Sequence, residues 1–151
     1  IIVDTSHLNE KGFWDVAKNS IHPLVATHSN SHAICPHTRN LTDRQLDAIK
    51  DTKGMVGVNF APAFLRKDGK MLSDTNIQLI ADHFKYLIEY LGEDHVGFGS
   101  DFDGAMMPKD LKSVLGMSKV TQLLVDQGFN DNLMQKIYNQ NWLKIIKLIL
   151  K

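Results

Sequence analysis

The sequence predicts an α/β protein built on a parallel sheet, and three observations carry that expectation. Short apolar runs, mostly β-branched, recur along the chain, each bounded by turn or polar residues, as strands buried on both faces require. Amphipathic helical patterns separate them, and a polar residue able to do chemistry stands just past the end of several runs.

The expected strands are residues 1–4, 24–27, 55–60 and 96–99. A helix is expected over 10–20. A second is expected over 42–51, opened by the capping sequence LTDRQ, and a third over 74–91, where Ile77, Ile80, Ala81, Phe84, Leu87, Ile88 and Leu91 fall at three- and four-residue steps. Two further helices are expected after the last strand, over 111–127, ending near Gly128, and over 132–150. The one long irregular stretch is APAFLRKDGKMLSD, residues 61–74. Strict alternation with right-handed crossovers leaves two architectures, a doubly wound open sheet or part of a (β/α)8 barrel, of which four units make half.

The 151 residues suit one domain, here the whole of 1–151. Seventeen basic residues balance seventeen acidic ones, so no global field favours nucleic acid or an acidic membrane surface. A small neutral or zwitterionic ligand is easier to accept. No apolar run reaches the length of a membrane span, so a membrane partner is not expected of this segment. The single cysteine, Cys35, excludes an internal disulfide and a cysteine-rich zinc site, and favours a reducing compartment such as the cytoplasm. Any metal must then be held by histidine and carboxylate.

In a barrel, chemistry gathers on the loops at the C-terminal ends of the strands, where His7, His28, Asn59 and Asp101 fall. Two neutral imidazoles reaching one rim from neighbouring strands suit Zn²⁺, although a strand-end histidine also serves as an ordinary backbone-bonded residue. VGFGSDFDG, residues 96–104, runs a buried strand into Asp101 and Asp103. Asp101 is placed to exchange protons with a metal-activated water, and Asp103 reads as a turn residue. Arg39 offers a planar fork of donors for a carboxylate, or equally a surface ion pair. His32 and His37 read as loop histidines, and His22, His83 and His95 as structural or solvated ones.

Four blocks, DTSHLNEKGFWDV, ATHSNSHAICPHTRNLTDRQL, GVNF and HVGFGSDFDG, stand in an order and spacing that resembles the membrane dipeptidase (renal dipeptidase) family of zinc peptidases, within the amidohydrolase-type barrels. Steps of 21 residues from His7 to His28 and of 11 from His28 to Arg39 are part of that likeness, which covers nearly the whole chain. The resemblance implies a (β/α)8 TIM-type barrel of which this chain is the C-terminal half, strands five to eight with their helices. It implies two zinc ions in a complete site and hydrolysis of dipeptides. Residue by residue, it implies that His7 and His28 ligate one zinc, Arg39 contacts the substrate carboxylate and Asp101 handles protons. The family's remaining zinc ligands, including the bridging glutamate, belong to a first half that this sequence lacks. At most one partial zinc site is therefore expected here, little activity from the chain alone, and completion by the missing half or a second copy. A different reading is a non-catalytic half-barrel that self-associates and binds metal or a small ligand.

Overall fold

The computed structural model describes residues 1–150. Strands β1 (Val25–Ala26), β2 (Met55–Asn59) and β3 (Val96–Ser100) form a parallel sheet in the order β1-β2-β3. Val25 stands opposite Met55 and Val56 opposite Val96, with an irregularity after Val58 that brings Asn59 opposite Ser100. Helices α1 (Glu10–Asn19), α2 (Asp43–Asp51), α3 (Pro62–Leu65), α4 (Gln78–Leu91), α5 (Met117–Asp126), α6 (Asp131–Gln135) and α7 (Asn141–Ile149) complete the mixed α/β fold. Because the strand order follows the chain, every crossover steps the same way, and right-handed connections then put successive helices on one face of the sheet. Accordingly α2 and α4 pack together, and Leu46, Ile49, Ile80, Phe84 and Leu87 share one core with Ala26, Val56 and Val58.

The expected first strand over residues 1–4 is reduced to a single parallel bridge from Asp4 to Val25. It lies at the sheet margin with a neighbour on one side only, so Ile1 is 95 % exposed and Val3 50 % exposed rather than buried on both faces. Three other boundaries move for local reasons. Thr42 is the N-cap of α2 and not its first residue, bonding Gln45 in a reciprocal capping box. Asn76 Oδ1 accepts from Gln78 N and starts α4 four residues later than expected. Lys112, with φ of 42°, interrupts the 111–127 pattern, so a short 3₁₀ turn at Val114–Gly116 precedes α5.

The single helix expected over 132–150 is α6, a π-helical turn at Lys136–Gln140, and α7. Past that turn, Asn141 Nδ2 donates to the carbonyls of Glu93 and Val96, and Trp142 Nε1 donates to the Phe98 carbonyl, so the terminal segment satisfies acceptors along β3. Ile145 and Ile149 of α7 pack on Val25 and Met55, residues separate from the large helical core. Gly57 in β2 allows a close backbone approach within the sheet. A Cβ there would lie 2.0 Å from the Thr27 carbonyl oxygen and 2.8 Å from Gly99 Cα.

His83 on α4 is fully buried, its Nδ1 accepting from Ser31 N at 3.2 Å and its Nε2 facing the Leu65 carbonyl at 3.4 Å. Burial pushes its pKa down to about 4, opposed only weakly by the Leu65 carbonyl and the neighbouring Asp82. As pH falls below the ordinary histidine value of about 6.5, the unfolded chain takes up a proton that the folded chain refuses until about pH 4. The contribution is therefore complete above that upper value and lost through the window below it, on the order of 3 kcal/mol in all. Urea titrations of the wild type and His83→Gln between pH 7 and pH 4 measure this, and the variant's stability is expected to fall less steeply with acid.

Candidate metal and substrate site

The four candidate site residues, His7, His28, Arg39 and Asp101, lie on the segments that follow the strands. His28 and Asp101 directly follow the β1 and β3 regions, Arg39 returns on the loop after His28, and His7 follows the Asp4 bridge. His7 Nε2 and His28 Nε2 stand 2.8 Å apart, with the two rings tilted at 54°. Arg39 Nη2 lies 3.3 Å from His7 Nε2 and 3.4 Å from the His28 carbonyl oxygen. Asp101 joins through Asn59, whose Nδ2 donates to Asp101 Oδ2 at 2.9 Å and approaches the His28 carbonyl at 3.5 Å.

Asp4 and Thr27 hold His28 in a defined tautomer. The Asp4 carboxylate accepts from Thr27 N at 2.9 Å, from Ser6 N at 3.0 Å and from the Thr27 hydroxyl, whose oxygen is 2.7 Å from His28 Nδ1. An ionised carboxylate only accepts, so the hydroxyl proton points to Asp4 and the hydroxyl oxygen takes the proton on His28 Nδ1. That leaves a lone pair on His28 Nε2, facing His7. Burial weakens Asp4's ionised form, but its hydrogen bonds from Thr27 and Ser6 outweigh this and hold its pKa below the usual range. Desolvation depresses the His28 pKa, with Arg39 and His7 adding to it and Asp101 and Asp4 opposing, so a neutral imidazole is favoured. Such a ring is ready to ligate, and its Nδ1 is already engaged as ligating histidines require.

The donor set suits a zinc ion in part. Two nitrogens on one tetrahedral zinc sit about 3.3 Å apart, so His7 and His28 need separate by only about half an ångström from 2.8 Å. No group of three or more histidine, cysteine or carboxylate side chains gathers to hold a metal among the described residues. Two imidazoles are fewer than the three or four protein ligands that zinc sites use.

From the last residue of β3 onward the backbone enters the left-handed region at Ser100, Asp101 and Asp103, with φ of 29°, 72° and 65°. Such conformations cost on the order of 1 kcal/mol or more each outside glycine and gather where a side chain must be aimed. Gly104 makes room for the result, since a Cβ there would lie 2.3 Å from Asp101 Oδ1.

None of the remaining histidines joins the pair in a cluster of three metal-binding side chains among the described residues. His22 is exposed, His95 bonds the Gly54 carbonyl, and His37 accepts from Arg39 N while packing on Phe64. Cys35 is buried against the Ala63 and Arg66 carbonyls, and burial raises its pKa. Sequence reasoning missed Asp4, Thr27 and the positioning part of Asn59. Their only signal was location at strand ends, which polar residues of no special role share.

These features define a parallel α/β protein with two imidazoles brought together at its strand ends. The sequence matches the membrane dipeptidase family, peptidase family M19, over residues 1–150, and the chain belongs to that family. It is 51 % identical over 145 residues to a Klebsiella pneumoniae protein described as an uncharacterized protein in the pqqA 5' region, covering 96 % of this chain and 54 % of that one. It is 32 % identical over 150 residues to dipeptidase tcpJ of Claviceps purpurea, covering 97 % of this chain and 34 % of that one. Among solved structures, a metallo peptidase from Rhodobacter sphaeroides, liganded with a phosphinate mimic of the dipeptide L-Ala-D-Ala, superposes with a TM-score of 0.94 at 50 % identity, over 96 % of this chain and 41 % of that one. The chain therefore spans about half or less of the length of these relatives.

Proposed function

We propose that this chain supplies the C-terminal half of a (β/α)8 barrel, strands five to eight, in a zinc-dependent dipeptidase, and with it about half of the active site. The observation that carries the reading is the placement of His7 Nε2 2.8 Å from His28 Nε2 and 3.3 Å from Arg39 Nη2 at the strand ends. Sequential strand order favours a singly wound barrel over a doubly wound sheet. The share of each relative left unmatched leaves length for the complementary half.

In this reading His7 and His28 would hold one zinc ion, which when bound supplies Lewis acidity and a water of lowered pKa. The chain's own residues supply the rest. Arg39 has a buried Nη1 with no protein partner, a donor free to grip the terminal carboxylate of a dipeptide. Asp101, held at Oδ2 by Asn59, has Oδ1 free of protein donors among the described residues and would take a proton there and return it to the departing amine. Asp4 and Thr27 orient His28 throughout. Two histidines fix an ion poorly by themselves, so the chain without its complementary half is expected to hydrolyse little. No helix is long and apolar enough to cross a membrane among the described residues, and a cytoplasmic setting is proposed from the single reduced cysteine.

The test is release of alanine from L-Ala-D-Ala by the complete protein carrying this sequence. Activity lost to a chelator and restored by zinc supports the reading. A fully metallated protein inert on a panel of dipeptides would overturn it.

A further inference from the structure

We propose that Phe64 is a positioning residue for Arg39, presenting the guanidinium to a substrate carboxylate without consuming any of the donors that must bind it. The inference rests on the reading of Arg39 given above and extends it to a residue from a different loop.

Phe64 lies on α3, the single helical turn after β2, within the stretch that reads as irregular in the sequence. Pro62 at the first turn presets that helix, and Phe64 N donates to the Ala61 carbonyl. The Phe64 carbonyl accepts from two buried amides, Asn30 Nδ2 at 3.1 Å and Asn40 Nδ2 at 2.9 Å. Both amides belong to the loop that carries His28 and Arg39, whose base is closed by the bridge from Ser31 to Leu41. The backbone of Phe64 thus holds both ends of the Arg39 loop. Its ring does the rest, with Arg39 Cζ over it at 5.3 Å and the His37 ring beside it at 4.9 Å.

Support from a ring face differs in kind from support by a carboxylate. A carboxylate would take the in-plane N–H groups and neutralise the charge, whereas a π face attracts the cation and leaves the edge of the fork open. Arg39 fits this division. No carboxylate pairs with it among the described residues, Nη2 donates to the His28 carbonyl, and Nη1 is buried without a partner.

The experiment compares Phe64→Leu and Phe64→Tyr in the complete zinc-loaded enzyme, on a dipeptide with a free carboxylate and on the same dipeptide as its C-terminal amide. Phe64→Leu is expected to raise KM for the free dipeptide roughly 3- to 30-fold, the range of a desolvated cation–π contact, with kcat changed less than about twofold. Its kcat/KM on the amide should stay at the wild-type value, and Phe64→Tyr should restore KM on the free dipeptide. In parallel, the Arg39 guanidinium protons should show an upfield ring-current shift by NMR that vanishes in Phe64→Leu and persists in Phe64→Tyr. An unchanged KM, equal losses on both substrates, or an absent ring-current shift in an enzyme that hydrolyses dipeptides would each overturn the proposal alone. Absence of dipeptide hydrolysis in the wild type would instead bring down the functional reading, and the proposal with it.

Discussion

Zinc binding to the complete protein is expected to weaken by more than about 100-fold in His28→Ala, beyond the 10- to 100-fold typical of changes to the partners that orient a ligand. His28 provides one of the two imidazole nitrogens that meet at 2.8 Å, and its Nδ1 is already committed to Thr27. Among the described residues no third histidine, cysteine or carboxylate gathers with the pair to take its place, and His37 packs against Phe64. Dipeptidase activity should fall by at least as much as zinc occupancy. Competition with a colorimetric chelator measures the affinity, and circular dichroism guards against misfolding. Undiminished zinc affinity in a folded variant would remove His28 from the ligand set.

Asp101→Asn should preserve the fold and lower kcat by roughly 10²- to 10⁴-fold, the usual worth of a positioned proton-transfer group. Asparagine keeps the size and can still accept from Asn59 Nδ2 through its carbonyl oxygen, so the left-handed turn and its bond to β2 have no reason to change. What disappears is an oxygen able to take up a proton. KM should move little, since Arg39 and not Asp101 grips the substrate in the proposed arrangement. A variant with wild-type kcat would show that the proton passes through another group.

Much of the scaffold was legible because burial on both faces writes itself as unbroken apolar runs. β2 and β3 lie within one residue of their expected bounds, and α1 and α2 likewise. The first expected strand failed for the reason that made it look convincing. Ile1, Ile2 and Val3 have the composition of a central strand, yet they lie at a margin where only Asp4 finds a partner. The histidine pair was legible from position, each ring arriving just past an apolar run. Thr27 was not, since a β-branched residue closing a strand carries no mark of the hydroxyl relay it performs between Asp4 and His28. Phe64 was hidden more thoroughly. One turn of helix is too short to leave a period, and an aromatic residue in an irregular stretch looks like core.

The π-helical turn at Lys136–Gln140 changes how the end of the chain should be compared with other sequences. Each residue advances a helix by about 100°, so a turn that holds an extra residue divides the segment into two helical wheels with different phases. Residues of α6 read on one wheel, and Asn141, Trp142, Ile145 and Ile149 on another that faces the strand carbonyls and the second apolar cluster. An alignment that treats the whole stretch as a gapless helix will pair inward positions of one protein with outward positions of another wherever that turn is gained or lost. The phase has to be set anew at Asn141.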